Sequence, residues 1–315
     1  MKKIVKVLVL ILSVAMLTGC TQTIVDKDNN RVTSEDTGQA LTANILCLPK
    51  DEKLLAKYNE NKETIESTSK YKTNLDNLVP CDEMGAWKKP YDGIWVQLFV
   101  QPLSWLIVKV GKIVGNIGIS VMLIGLLIRI VLLPFTIKTT KQQEIMKKVQ
   151  PELDKLEKKY AGKDDQESMM KKSQETMVLY RKYKVNPMAS CLITLVQLPI
   201  FFAFLEAINR TPAIFENSLW KFQLGTTPLY GITHNNYWYI LLLVLIIVFT
   251  LLTFMQSMKS TGNSETQKQT KMMMYMMIVF IGIASFQLPS AIALYWVVTN
   301  AFSVLQTYII KKVGK

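Results

Sequence analysis

The chain has 315 residues, half of them hydrophobic, and its formal net charge is +13. Apolar runs longer than 18 residues exclude a soluble basic protein and indicate a membrane protein. The sequence contains one histidine, His234, no glycine-rich phosphate loop, and no basic motif with interleaved aromatics. We therefore expect an all-α membrane protein that is not an enzyme, needs no metal or cofactor, and is no direct reader of nucleic acid.

The N-terminus resembles a bacterial lipoprotein signal. Lysines near the start precede an apolar run, residues 7–17, that is too short for a comfortable span. The run ends in Leu-Thr-Gly-Cys, which is similar to the lipobox of bacterial lipoproteins. That resemblance implies removal of residues 1–19 and a diacylglycerol on Cys20, outside the cell. The alternative is an uncleaved anchor with an incidental cysteine.

Residues 20–92 are polar and of mixed charge, which predicts an extracytoplasmic segment with one or two short helices and little packing. Cys47 and Cys81 both lie here. An oxidising compartment favours a disulfide between them, and two unpaired thiols are the alternative.

Residues 93–116 are apolar but interrupted by Pro102 and several polar residues. Trp95 and Trp105 suit the membrane–water interface. The pattern predicts an amphipathic helix on the outer face that leads into the first span. The alternative is an additional transmembrane helix, which would reverse every later orientation.

The first predicted span, residues 117–137, contains Arg129. A straight helix places this arginine about 12 Å from the inner end of the span. A cation at that depth costs on the order of 3 kcal/mol, so it must face protein or a water-filled cavity. The sequence therefore predicts a hydrophilic site inside the membrane. The alternative is a structural charge that is neutralised locally.

Residues 138–186 are rich in lysine with interleaved acids. Pro151 is suited to the first turn of a helix, and a second helix is predicted from about Gln166 to Tyr183. The segment is predicted to be a cytoplasmic helical hairpin. It is either a docking arm or a pair of helices whose charges are simply solvated.

Four more spans follow, so the predicted fold is a five-transmembrane-helix core. The predicted spans are residues 188–207, 237–257, 272–287 and 291–310. The predicted connections are an external loop, 208–236, a cytoplasmic loop, 258–271, and a cytoplasmic tail, 311–315. Lysines concentrate in the hairpin, the 258–271 loop and the tail, which the positive-inside rule assigns to the cytoplasm. An external Cys20 agrees with this orientation.

Gln197 and Asn300 fall at nearly the same predicted depth as Arg129. Gln197 is about 14 Å and Asn300 about 15 Å from the inner ends of their spans. Glu206, the acid within the predicted spans, lies near the opposite end, and this separation favours a wet cavity around Arg129. Ordinary hydrogen bonding between helices is the alternative for the two amides.

The fourth span begins with a methionine cluster that includes Met273, Met276 and Met277. Methionine is flexible and suits a surface that accepts varied apolar partners, so these residues are candidate substrate contacts. Filling of the core by these side chains is the alternative.

Four stretches resemble the YidC/Oxa1/Alb3 family of membrane protein insertases, and most closely its lipoprotein-type YidC branch in Gram-positive bacteria. They are IRIVLLPFTIKTTKQQEIM, VQPELDKLEKKY, VNPMASCLITLVQLPIFFAF and FQLPSAIALYWVVTNAFSVLQTYII. They occur in family order, and together with their spacing the resemblance covers about residues 93–312. Residues 281–290 lack the proline and phenylalanine-rich run that many members have.

The resemblance implies a groove that is open to cytoplasm and lipid and closed outside. Arg129 and Gln197 match the family's groove arginine and glutamine, and the second and fourth spans flank the exit of the substrate into lipid. The implied partners are nascent membrane proteins, membrane lipids, the Sec translocon and the ribosome. Because the tail is short, we expect no strong ribosome binding through it.

Two other classes stay open at this stage. A transporter or channel with a cationic site would usually show repeats, broken helices or several coordinated charges, and we find one deep charge and no repeat. A lipoprotein adhesin would place function in residues 21–92 and would leave Arg129 unexplained.

Overall fold

The computed structural model describes residues 21–26, 30–68, 73–87, 93–163, 165–185, 188–258 and 265–313. The described chain is mainly helical. It forms two compact units. The first unit comprises Met1–Leu126, Leu198–Val244 and Ala284–Val298, and the second comprises Leu127–Gln197, Leu245–Ile283 and Thr299–Lys315.

The N-terminal segment has its own hydrophobic core. Helix α1, Glu52–Glu60, is capped by Asp51, whose side chain accepts from Leu54 N at 2.8 Å, and α2 follows at Lys62–Thr68. The core residues are Ile24, Leu41, Ala43, Ile45, Leu54, Tyr58, Ile65 and Leu75. The expectation of little packing was wrong, because these apolar residues are spread along the sequence without a period and meet only in the fold.

Cys47 and Cys81 have disulfide geometry in this segment, with an S–S distance of 2.10 Å and a Cα–Cα distance of 4.7 Å. Both are buried. Backbone hydrogen bonds also join the segments that carry the two cysteines. Leu48 N donates to Val79 O at 2.9 Å, and Cys81 N donates to Leu48 O at 3.2 Å. The two cysteines are therefore held together by more than their own bond.

We expect the native protein to resist alkylation at Cys47 and Cys81 even when it is denatured without reductant, whereas Cys191 reacts under the same conditions. Closing this loop stabilises the segment by roughly 3 to 4 kcal/mol in the chain-entropy model. The double change Cys47→Ser, Cys81→Ser should therefore lower the unfolding temperature. Peptide mass mapping after alkylation checks the bond, and full modification of both cysteines would rule it out.

The segment predicted to lie on the membrane begins with a π-helical turn, Val96–Val100, and continues as α3, Gln101–Val114. Pro102 lies at the start of α3, directly after the π-helical turn. Trp95 was expected at the membrane interface, and this was wrong: its side chain is 1% exposed. The indole is buried because its N–H has a partner in the protein, described below.

The first predicted span is two helices, α4 at Ile117–Val131 and α5 at Leu133–Lys159, with a 60° bend between them. The prediction of a single straight helix over residues 117–137 was wrong. Pro134 disfavours helix at the residue before it and clashes with the carbonyl four residues back, which explains the break at Leu132. Arg129 therefore lies in the last turn of α4, and the 12 Å depth, taken from residue 137, does not hold.

Helix α5 packs against α6, Gln166–Lys182, in the second unit. The buried contacts are made by Val149, Leu153 and Val185, with Ile145, Met146, Leu179, Tyr180 and Tyr183 around them. Pro151 does not start a helix, as the sequence had indicated, but lies inside α5. Packing of Val149 and Leu153 on either side of it explains why the helix continues.

Ion pairs join the facing helices at two levels. Lys159 Nζ lies 2.7 Å from Glu175 Oε1, and Lys182 Nζ lies 3.5 Å from Glu152 Oε2. Hydrogen bonds from Lys159 and Tyr160 hold the pKa of the Glu175 carboxyl below its usual range. A lowered carboxyl pKa means that this pair stabilises the hairpin at neutral pH and that the contribution is lost as the pH falls through the lowered pKa.

The described residues after the hairpin form six more helices, of which the first and the last three overlap the four later predicted spans in order. They are α7 (Met188–Arg210), α8 (Pro212–Phe215), α9 (Pro228–Thr233), α10 (Trp238–Met258), α11 (Glu265–Ser285) and α12 (Ser290–Val313). Between α8 and α9 the strands β1, Ser218–Leu219, and β2, Phe222–Gln223, form an antiparallel hairpin.

Within the described residues, two helical stretches are long and apolar enough to cross a membrane: Trp238–Gln256 and Ser290–Lys312. The bent pair of α4 and α5 would be a third if it is one span, and Met274–Ser285 is a shorter apolar helix. The chain is therefore a helical membrane protein.

Candidate functional site

The three predicted groove residues all belong to the second unit. Arg129 is in α4, Gln197 is in α7, and Asn300 is in α12, and each is partly buried. The position of Arg129 in the last turn of its helix is electrostatically favourable, since the C-terminal end of a helix carries partial negative charge. The hydrophobic residues that follow it, Ile130 and Val131, are exposed.

Other polar side chains of the second unit lie in the apolar helices α10 and α12. Thr250, Thr299 and Gln306 are buried, and Gln256 Nε2 donates to Val304 O at 3.3 Å. These four residues were not identified from the sequence. Their signal was present, since each is a polar residue inside an apolar run, where such residues usually have a partner or a function.

Helix α11 presents an exposed apolar face in the second unit. The face borders an open groove of about 700 Å³ that is lined by Lys271, Met272, Tyr275, Met276, Val279, Phe280 and Ile283. Met276 was predicted as a substrate contact and lines this groove. Met277 is exposed but is not among the lining residues, and the side chain of Met273 lies outside the described residues. The apolar residues between positions 272 and 283 recur at intervals of three and four, and this pattern could have identified the exposed face of α11 from the sequence.

The first unit contains a buried ion pair at the end of α7. Arg210 Nη1 lies 3.6 Å from Glu206 Oε2, and the two side chains are 0% and 9% exposed. Trp95 Nε1 donates to Glu206 Oε1 at 2.9 Å, and Arg210 Nε donates to the carbonyl of Asn44 at 2.6 Å. Glu206 lies near a helix end, as the sequence indicated, but its partners Arg210 and Trp95 were not identified from the sequence.

The N-terminal segment is docked around this pair. Leu46 N donates to Arg210 O at 2.8 Å, and the backbone N–H groups of Lys50 and Asp51 donate to Glu216 Oε1 at 2.5 and 2.9 Å. Gly38, with a φ of 64°, lies so close to the Tyr230 ring that no Cβ would fit. The described residues between 30 and 87 are therefore part of the first unit rather than a separate domain.

A metal centre has no support in the described part of the chain, where no group of three or more histidine, cysteine, aspartate or glutamate residues is arranged to hold an ion. Cys20, the predicted lipidation site, lies outside the described residues.

These features define a helical membrane protein with a charged hairpin and polar residues within its apolar helices. The family model described as 60Kd inner membrane protein matches residues 109–315, and the chain belongs to that family. The family resemblance stated from the four sequence stretches is thereby confirmed.

The relatives carry a functional name. The chain is 41% identical over 225 residues to "Membrane protein insertase YidC" of Oceanobacillus iheyensis, covering 70% of this chain and 85% of the relative. It is 40% identical over 219 residues to "Membrane protein insertase MisCA" of Bacillus subtilis, covering 69% and 79%.

A solved structure described as an active YidC insertase with its first transmembrane domain resolved is also similar. The TM-score is 0.50 and the identity is 25%, over 82% of this chain and 53% of that one. The chain thus spans about half the length of that solved protein.

Proposed function

We propose that this protein is an insertase that moves membrane segments of nascent proteins from the cytoplasm into the bilayer. The observation that carries the proposal is the 41% identity to a relative named as a membrane protein insertase, over 85% of that relative's length. The grouping of Arg129, Gln197 and Asn300 in one unit supports it. A transporter with a cationic site, the alternative from the sequence, is not among the names of the relatives described above. Insertion of a client into liposomes by the purified protein tests the proposal.

The architecture that fits this function has five spans, formed by α4, α7, α10, α11 and α12. Their order and apolar composition support the count, and the bend after α4 fits a chain that leaves the membrane at Leu132. The hairpin of α5 and α6 then lies in the cytoplasm, and residues 93–116 form the interfacial helix. Exposed Ile94, Leu98 and Phe99 support a lipid contact for that segment.

Arg129 is the proposed working charge of the site. It attracts an acidic or polar extracytoplasmic segment of the client into a hydrated groove, with Gln197 and Asn300 supplying amide hydrogen bonds. The apolar segment of the client then passes along the exposed face of α11, where Met276 and its neighbours offer an adaptable apolar surface. No covalent step is needed.

The α5–α6 hairpin is the proposed docking arm for cytoplasmic partners, including nascent chains, the ribosome and the Sec translocon. Its support is the outer face of α6, where Met170, Met177 and Val178 are exposed beside Arg181 and Lys182. Large apolar side chains exposed beside charges are typical of contact surfaces.

The proposed location is the cell membrane, with the N-terminus outside and held by a lipid on Cys20. The Leu-Thr-Gly-Cys sequence at the end of the short apolar run supports the lipid.

The orientation predicts opposite labelling of two exposed lysine positions in intact cells. In a Cys191→Ser background, Lys221→Cys should react with a membrane-impermeant maleimide, because it lies in the external loop. Lys158→Cys, at the end of the hairpin helix α5, should react only after the cells are permeabilised. Both positions are exposed and both changes are lysine to cysteine, so they control for each other. Labelling of Lys158→Cys in intact cells would reverse the topology.

A further inference from the structure

The β1–β2 hairpin turns through two residues, Trp220 and Lys221. Trp220 has a φ of 55°, in the left-handed region that two-residue hairpin turns usually fill with glycine or asparagine. The side chain of Trp220 is 63% exposed. Local backbone preference and burial within the chain therefore both fail to explain a tryptophan at this position.

The hairpin is fixed to the beginning of α10. Asn236 Nδ2 donates to Lys221 O at 2.9 Å, and Gln223 N donates to Tyr239 Oη at 3.0 Å. The Trp220 ring meets the Trp238 ring edge to face, with centroids 4.5 Å apart. The level of Trp220 is therefore set by the level at which α10 enters the membrane.

Trp238 is the first residue of an apolar stretch that is long enough to cross a bilayer, and it is 44% exposed. Below it, Ile240, Leu241 and Val244 are exposed along the same helix. Tyr237, beside Trp238, is also exposed. Large exposed apolar residues on a spanning helix face lipid, and tryptophan and tyrosine at its end mark the headgroup level.

We propose that the β1–β2 turn is a membrane-interface anchor, in which the Trp220 indole inserts among the phospholipid headgroups beside Trp238. The Trp220 ring extends the lipid-facing surface of α10 to the β1–β2 hairpin, which does not itself span the membrane. Lys221, exposed at the same turn, points to the same occupant, since an ammonium group beside the indole suits lipid phosphates. The anchor requires only that α10 spans the bilayer, so it does not depend on insertase activity.

The test uses the full-length protein in phosphatidylcholine vesicles that carry bromine either near the headgroups or near the bilayer centre. The emission of Trp220 is isolated as the difference between wild type and Trp220→Phe. We expect headgroup-proximal bromine to reduce this difference emission about twofold and deep bromine to affect it less, as for an interfacial ring. Trp95→Phe is the matched control, since Trp95 is buried and its difference emission should respond to neither lipid.

A difference emission for Trp220 that is unaffected by both brominated lipids but quenched by aqueous acrylamide would overturn the proposal. A second variant, Trp220→Gly, separates anchoring from folding. Glycine relieves the positive φ but loses the ring contact with Trp238, and the two effects oppose each other, so in detergent the variant should unfold within a few degrees of wild type. In vesicles, the amides of residues 218–223 should exchange hydrogen faster than in wild type. Equal exchange in vesicles would contradict anchoring.

Discussion

Arg129→Ala is expected to accumulate normally in the membrane and to lose about tenfold in the insertion of clients with acidic extracytoplasmic segments. Two opposite charges about 10 Å apart in a partly hydrated site interact by on the order of 1 to 2 kcal/mol. A difference of that size in the barrier to entry changes a rate by about tenfold. Because Arg129 is in the last turn of α4 and next to a bend, its replacement leaves the packed part of the helix intact.

Two further substitutions separate charge from geometry. Arg129→Lys keeps a cation but loses the planar set of donors, so it should retain partial insertion. Arg129→Glu should be worse than alanine, because it repels acidic segments. Insertion is measured by complementation of an insertase-depleted bacterium with several clients.

Arg31→Ala is the matched control for the arginine series, since it removes the same charge from an exposed position of the N-terminal segment, outside the proposed site and the hairpin. It should insert clients as wild type does. If Arg129→Ala accumulates normally and complements as well as Arg31→Ala, the arginine is not the working charge. If it disappears from the membrane, its role is structural.

Arg210→Ala should destabilise the first unit by about 3 to 5 kcal/mol, because it leaves the Glu206 carboxylate buried without its cation. The loss is large for a single substitution, since both side chains are almost fully inaccessible and Arg210 also holds the carbonyl of Asn44. Thermal unfolding of the purified protein in detergent, followed by near-ultraviolet circular dichroism, measures it. The signal of buried Trp95, which donates to Glu206, should be lost in the same transition.

The double variant Arg210→Met, Glu206→Gln tests whether the first unit is destabilised by the unpaired charge or by the loss of the hydrogen bond from Arg210 to Asn44. Replacing both charges with neutral residues of similar size removes the buried unpaired carboxylate, so it should recover most of the lost stability. A double variant as unstable as Arg210→Ala would show that the hydrogen bond to Asn44, rather than charge pairing, stabilises this junction.

The sequence predicted those parts of the fold that depend on local pattern. The apolar runs of α10 and α12 are continuous, so length alone identified them. The hairpin was predicted with two helices, but its first helix begins 18 residues before Pro151, at Leu133, because packing around Val149 and Leu153 outweighs the preference of proline for a first turn. The bend at Leu132 was missed, although Pro134 signalled it.

The parts that could not be predicted depend on contacts between distant residues. Trp95 and Glu206 are 111 residues apart, and Asn44 and Arg210 are 166 apart. No periodicity relates such positions, so an indole that suits the membrane interface was mistaken for an interfacial one. The hydrophobic core of the N-terminal segment could not be predicted for the same reason, since no periodicity relates its residues. The candidate site rests on a local signal, because a polar residue in an apolar run is visible in the sequence itself. Arg129, Gln197 and Asn300 all belong to the second unit, and their role in a groove stays a prediction.

The most direct measurement of insertase function uses the purified protein in liposomes without any other translocation component. A single-spanning client with a short acidic extracytoplasmic segment is synthesised outside the liposomes, and protease is then added. The account predicts a protected client fragment with wild-type liposomes, a weaker one with Arg129→Ala, and none with protein-free liposomes. Equal protection in wild-type and protein-free liposomes would contradict it.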